Sequence, residues 1–162
     1  MRCVGTVRFA LDLTVTTGSI HTMDTIQPAT AMYDNDVTCR TLGIQLDDLG
    51  PGRARMRMRV AGTMANGHGS VHGGYLFLLA DAAFAYASNS HGPAAVAQHA
   101  QVTFLRAAAV DEELVAEAVE RGRAGRTGVY DVTVRRASGE VVAEFRGQSV
   151  MLSGRPVNGP GH

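Results

Sequence analysis

A chain of 162 residues and 17.1 kDa has material for one hydrophobic core and not for two. Fifteen basic residues balance fifteen acidic ones, which argues against a binder of nucleic acid or of anionic membranes. Every basic residue is arginine, and without a lysine a phosphate loop ending in Gly-Lys-Ser/Thr and any Schiff-base mechanism are excluded.

From Met1 to Pro28 the sequence is Thr-rich and patternless, with in-frame methionines at Met23 and Met32. Residues 1–28 are therefore read as a disordered tail or an over-called translation start. Arg2 and Arg8 precede a short apolar stretch, but Asp12 interrupts it and no small-residue cleavage site follows, so no signal peptide is expected. No stretch reaches the ~20 apolar residues of a membrane span. Cys3 and Cys39 stand far apart, outside any C-x-x-C or zinc spacing, and are expected as free thiols in a reducing compartment. The expected location is the cytoplasm.

Ala31 to Leu42 predicts a short amphipathic helix that Gly43 ends. Arg53 to Val60 alternates strictly, with Ala54, Met56, Met58 and Val60 on one face and Arg53, Arg55, Arg57 and Arg59 on the other, as a half-buried strand does. The arginine row either grips nucleotide phosphates or forms a solvated outer face. A glycine-dense loop, Asn66 to Gly74, leads into Tyr75 to Asn89, a helix apolar on all sides and so expected in the middle of the protein. After a turn over Asn89 to Pro93, four strands follow: Ala95–Leu105, Leu114–Arg121, Val129–Arg136 and Val141–Leu152, with Ser138-Gly139 as a tight hairpin. One buried helix followed by consecutive antiparallel strands predicts an α+β domain whose sheet curls around that helix. The domain is placed at 29–153, with residues 154–162 as a C-terminal tail.

Two features carry chemistry. Asp81 lies deep inside the apolar helix, where an ionised carboxylate is costly unless it is paired, as with a strand arginine, or used. The glycine-rich stretch Asn66-Gly-His-Gly-Ser-Val-His-Gly-Gly74 lets backbone approach a ligand, and the helix start after it offers unpaired N–H groups that suit an oxygen becoming negative during reaction. A flexible loop before a helix is the plainer reading. Gly73 precedes Asp81 by eight positions, roughly 12 Å along a helix axis, so one scissile carbonyl cannot touch both within one chain. If they serve one reaction, Asp81 comes from a partner whose helix runs antiparallel alongside. His68 and His72 are spaced for a metal on a helix, but the glycines around them oppose a helix and no Glu follows His68, so no metal is expected. Gly67-x-Gly69-x-x-x-Gly73 imitates a dinucleotide-binding loop. The strand before it alternates instead of being apolar throughout, and the closely spaced strands after it leave no room for crossover helices.

Taken together, Asn66-Gly-His-Gly-Ser-Val-His-Gly-Gly74, Leu79-Ala-Asp-Ala-Ala-Phe-Ala85 and Gly125-Arg-Thr-Gly-Val-Tyr-Asp131 resemble the hot-dog-fold thioesterases, in order from Ala31 to Leu152. Within them, Ala31-Met-Tyr-Asp-Asn-Asp36, Leu42-Gly-Ile44, Asn89-Ser90, Phe104-Leu-Arg106 and Phe145-Arg-Gly147 look most like the thioesterase of phenylacetate degradation, although Ala107 stands where that family commonly has proline. The resemblance implies a long central helix wrapped by a curved antiparallel sheet, and hydrolysis of phenylacetyl-CoA or a ring-hydroxylated relative without a cofactor. It implies that the Gly73 amide polarises the thioester oxygen and that Asp81 of the neighbouring chain is nucleophile or general base. Asn66 would orient that carboxylate or the attacking water, and His72 would support the loop. Gly74 and the turn Arg126, Thr127 and Gly128 would lie near CoA. It further implies a homodimer, paired again into a homotetramer. Phe77, Phe84 and Phe104 either line an aromatic acyl pocket or are plain core. A hot-dog module that binds acyl-CoA without cleaving it, a dehydratase on the same fold, and a dinucleotide-binding oxidoreductase are the competing readings.

Overall fold

The computed structural model describes residues 17–156, with side chains from 26 to 153, so that Cys3, Arg2, Arg8 and the stretch 157–162 lie outside the described residues. Two helices open the described chain, α1 (Thr17–Asp34) and α2 (Val37–Leu42). The single helix expected over Ala31–Leu42 is thus broken at Asn35-Asp36. The reason is local: Asp36 leaves helical geometry and accepts the Cys39 N–H at 2.8 Å, capping α2. Gly43, at φ 67°, closes α2 as the sequence predicts, its N–H reaching back to the last turn. The stretch Thr17 to Pro28, read from sequence as part of a tail, is helical.

Six strands follow: β1 (Gln45–Gly50), β2 (Arg53–Arg59), β3 (Pro93–Phe104), β4 (Glu113–Ala124), β5 (Thr127–Arg136) and β6 (Val141–Pro156). They form one sheet in the order β1-β2-β4-β5-β6-β3, antiparallel at every pairing. Antiparallel pairing throughout rules out the parallel, doubly wound sheet of a dinucleotide-binding fold. Helix α3 (Gly73–Asn89) lies between β2 and β3 in sequence and packs on the concave side of the sheet, touching β2, β4, β5, β3 and β6. The sheet curls because its inner face must close on one helix.

β2 behaves as its alternation predicts. Ala54, Met56 and Met58 are buried against α3, and the arginines face outward. Those arginines are partnered by carboxylates, Arg55 by Glu117 at 3.0 Å and Arg57 by Asp47 at 2.9 Å, so the row is an ion-paired outer face. Between β5 and β6 the turn Ala137-Ser138-Gly139 is closed by Gly139 N–H to the Arg136 carbonyl at 2.9 Å, with Gly139 at φ 90°.

The helix-to-β3 junction depends on one side chain. Asn89, 4% exposed, accepts the Ala95 N–H at 2.9 Å and donates to the carbonyls of Ala95 and Ala85 at 3.0 and 2.9 Å. Alanine there would orphan buried backbone groups at the point where β3 is launched toward the sheet edge. Asn89→Ala is expected to lower stability by about 2 kcal/mol or more, read as a lower urea midpoint at unchanged slope.

Candidate active site

The glycine loop is held by Asn66. Its Oδ1 accepts the N–H groups of His68 and Ser70 at 2.9 and 3.3 Å, and its Nδ2 donates to Ser70 Oγ and the Val71 carbonyl at 3.1 and 3.4 Å. The backbone adds Asn66 N–H to the Ser70 carbonyl at 2.7 Å, while Gly69 at φ 78° supplies the left-handed turn. His72 N–H to Met64 and Val71 N–H to Ala108, both 2.8 Å, then pin the loop to the body.

His72 is the N-cap of α3. Its Nδ1 accepts the Gly74 N–H at 3.2 Å, which requires the ring proton on Nε2, and its carbonyl accepts the Tyr75 N–H at 2.9 Å. Among the described residues the Gly73 N–H has no acceptor. Gly73 lines a cavity of about 310 Å³ with Val71, Leu76, Phe104, Leu105, Arg106 and Ala107. The Phe104 ring lies against the Gly73 Cα so closely that a Cβ would stand 3.0 Å from it. Glycine and ring meet beside one donor without a described acceptor, at the positive end of a 17-residue helix.

Asp81, two turns along α3, faces elsewhere. It lines a cavity of about 650 Å³ with Met32, Asn35, Asp36, Thr38, Cys39, Leu78, Ala82, Ala85 and Tyr86. No described side chain pairs with it, so the salt bridge to a strand arginine is absent among the described residues. Burial pushes its carboxyl above the ordinary range, because the charged form loses water and gains no compensating donor. An ionisable group left unpaired in a cavity is costly to the fold and useful to chemistry.

The floor of this cavity holds a pair that sequence reading missed. The Tyr86 hydroxyl donates to Asp36 Oδ2 at 2.6 Å, tying α3 to the N-cap of α2. The clue was a tyrosine well inside a buried helix, whose hydroxyl needs a partner there. Cys39 beside it is buried, and desolvation and Asp36 push its thiol up to about 12, so it is inert as a nucleophile.

Asn66, His72, Gly73 and Gly74 therefore stand together at one loop, and Asp81 stands apart in a second cavity. Arg126, Thr127 and Gly128 occupy a third place, the β4–β5 hairpin. There Ala124 pairs with Thr127 around Gly125 at φ 57° and Arg126. The Arg126 guanidinium donates twice to the Met151 carbonyl, at 2.9 and 2.7 Å, and no carboxylate among the described residues lies within ion-pair distance of it. Of the two readings the sequence leaves for Phe84, acyl pocket or plain core, the described chain places it in the core. It is 1% exposed, stacks against Tyr130 and Phe145, and fills the space over Gly147. It is core because Gly147 of β6 has no side chain and the ring occupies the place a Cβ there would need, 2.9 Å away. Phe77 also packs edge-on against Phe145, and only Phe104, 51% exposed, borders a candidate site.

Acyl-coenzyme A thioesterase PaaI of Escherichia coli K12 is 45% identical over 128 residues, 79% of this chain and 91% of the relative. The chain belongs to the thioesterase superfamily. Residues 68–143 match that superfamily directly, from the glycine loop into β6, and as a thioesterase of the hot-dog fold the chain hydrolyses thioester bonds. The structure of E. coli PaaI, a protein from the phenylacetic acid degradation operon, superposes with a TM-score of 0.79 at 44% identity, covering 82% of this chain and 96% of that one. A mutant of phenylacetic acid degradation protein PaaI from Thermus thermophilus superposes at 0.70 and 38% identity, over 72% of this chain and 100% of that one. No helix among the described residues of this thioesterase is long and apolar enough to cross a membrane.

Proposed function

We propose that the chain hydrolyses phenylacetyl-CoA or its ring-hydroxylated forms to the free acid and CoA, in aromatic catabolism, through a site shared by two copies. One observation supports the shared site: Gly73 and Asp81, each without a partner for its amide or carboxylate among the described residues, line separate cavities of the same chain. A second copy running antiparallel brings the Asp81 of one α3 to the Gly73 of the other, giving two equivalent sites per dimer.

The edge that makes this dimer is β3. It ends the sheet, carries 12 residues with no Asp, Glu or Arg among them, and leaves Val96, Phe104 and the adjoining Leu105 exposed. An uncharged edge of that length is a template for another strand. Pairing two β3 edges about a two-fold axis joins the sheets and lays the two α3 helices side by side in opposite directions. The homodimer pairs again into a homotetramer in this proposal.

A thioester carbonyl is already electrophilic, so the reaction needs an oxyanion donor and an aimed nucleophile. Gly73 supplies the donor. Asp81 takes a proton from water as the water oxygen bonds to the carbonyl carbon, the C–S bond breaks, and the CoA thiolate takes up that proton; or Asp81 attacks the carbon itself, the C–S bond breaks to give an acyl–Asp81 anhydride and CoA thiolate, and water then hydrolyses the anhydride to the acid and free Asp81, releasing the proton the thiolate takes up. Single turnover in ¹⁸O water separates the two, since direct attack first places an enzyme oxygen in the acid. His72 holds the helix start, and Asn66 orients the carboxylate or the water when its Nδ2 exchanges the long 3.4 Å bond to the Val71 carbonyl for one of them. Gly74 and the hairpin residues Arg126, Thr127 and Gly128 contact CoA, with Arg126 free of any described carboxylate to meet a phosphate. No cofactor enters this scheme.

Release of free CoA thiol from phenylacetyl-, hydroxyphenylacetyl-, benzoyl- and straight-chain CoA esters tests the function. Highest kcat/KM on the phenylacetyl pair supports it. Binding of these esters without thiol release would make the chain a carrier, and preference for straight chains would overturn the aromatic assignment.

A further inference from the structure

Among the described residues of one chain, the cavity around Asp81 is lined by charge of one sign: its carboxylates are Asp81 and Asp36, and neither arginine nor histidine stands among its lining residues. Asp36 has no part in the acid–base chemistry above. It is fixed at the N-cap of α2 by the Cys39 N–H on Oδ1 and by the Tyr86 hydroxyl on Oδ2, and no described arginine pairs with it. Desolvation opposes its charge, but the donors from Cys39, Tyr86 and Thr38 prevail and hold the carboxyl below its ordinary range. A fixed anion in a half-buried, low-dielectric wall acts on whatever enters beside it.

We propose that the acyl group enters the cavity around Asp81 and that Asp36 is a specificity-determining residue that confines this cavity to uncharged acyl groups, rejecting acyl-CoA esters whose acyl chain ends in a free carboxylate. The inference rests on the acyl-CoA thioesterase reading above and adds the class of acyl group that the site refuses. Asp81 repels an entering anion as well, but its carboxylate is spent on the reaction, whereas the charge of Asp36 can be removed without touching the reacting atoms. Asparagine at 36 keeps an N-cap acceptor and an oxygen for the Tyr86 hydroxyl.

The test uses a matched pair, 4-carbamoylphenylacetyl-CoA and 4-carboxyphenylacetyl-CoA, equal in shape and different in charge, with phenylacetyl-CoA as reference. The native dimer is expected to favour the carbamoyl ester in kcat/KM by about tenfold or more, and Asp36→Asn to bring that ratio several-fold closer to one. Asp36→Ser, a second capping residue without charge, keeps the test open if the asparagine chain does not fold. A native ratio near one, or a ratio unmoved in a folded Asp36 variant, overturns the proposal while hydrolysis of phenylacetyl-CoA leaves the thioesterase reading standing. Failure to cleave phenylacetyl-CoA overturns both.

Discussion

Replacing Asp81 with asparagine is expected to cut kcat on phenylacetyl-CoA by about 10²–10⁴, the range of a positioned acid–base group, while the protein folds. The near-isosteric amide keeps the packing against Leu78, Ala82 and Ala85 and removes only the charge. The pH dependence carries a sign. Because burial raises the Asp81 pKa, the native enzyme needs a higher pH than an ordinary carboxylate to become active, and the acid limb of kcat/KM sits above the usual Asp range. Stability runs the other way. With a folded pKa above the unfolded one, the folded state holds more protons between the two, so ionising Asp81 costs stability as pH rises through that window. Asp81→Asn should therefore melt higher than the native chain at neutral pH. The difference should vanish below the ordinary carboxylate pKa. Thermal melts of both proteins from acid to neutral pH check this, and an asparagine chain that melts lower at every pH would mean Asp81 has a partner that stabilises it.

The second large effect belongs to the amide of Gly73. Proline removes an N–H and is welcome at the first position of a helix, where that N–H has no intrahelical partner. His72 already has φ −67° and ψ 132°, the extended conformation that a residue before proline prefers. Gly73→Pro is thus expected to fold. Since its ring also brings a Cβ toward Phe104, Gly73→Ala is the control that adds the same atom and keeps the donor. The proline chain should fall below the alanine chain by about 10²–10³ in kcat, the worth of one oxyanion donor. Equal activity of the two would show that the N–H does not touch the reacting oxygen.

The parts legible in the sequence were those with an unbroken period. β2 alternates without interruption and α3 is uniformly apolar, so both stand within two residues of where the sequence puts them. β1 was invisible because its period is broken. The register shifts between Leu46 and Asp48, so the half-buried Leu46 and Leu49 fall three apart instead of two. The break between α1 and α2 was missed because Asp36 looks helical by its neighbours, and its capping role depends on Cys39 and Tyr86 lying within reach. The glycine loop and Asp81 were legible as chemistry because each breaks a local rule, a carboxylate in an apolar helix and a run of glycines before it. Phe84 was not separable from Phe104 by composition. Sheet curvature put the first under Gly147 and the second at a free edge, and only tertiary packing distinguishes them.

Each working site is expected to take Gly73 from one chain and Asp81 from another, and everything proposed for the reaction depends on it. Co-expressing a Gly73→Pro chain and an Asp81→Asn chain under two affinity tags, and purifying the species that carries both, tests it directly. In that mixed dimer one site pairs a native Gly73 with a native Asp81, and the other site has neither. Thiol release from phenylacetyl-CoA should recover to about half the native dimer's rate per dimer, far above either inactive parent. A mixed dimer as inactive as its parents would contradict the account and confine the site to a single chain.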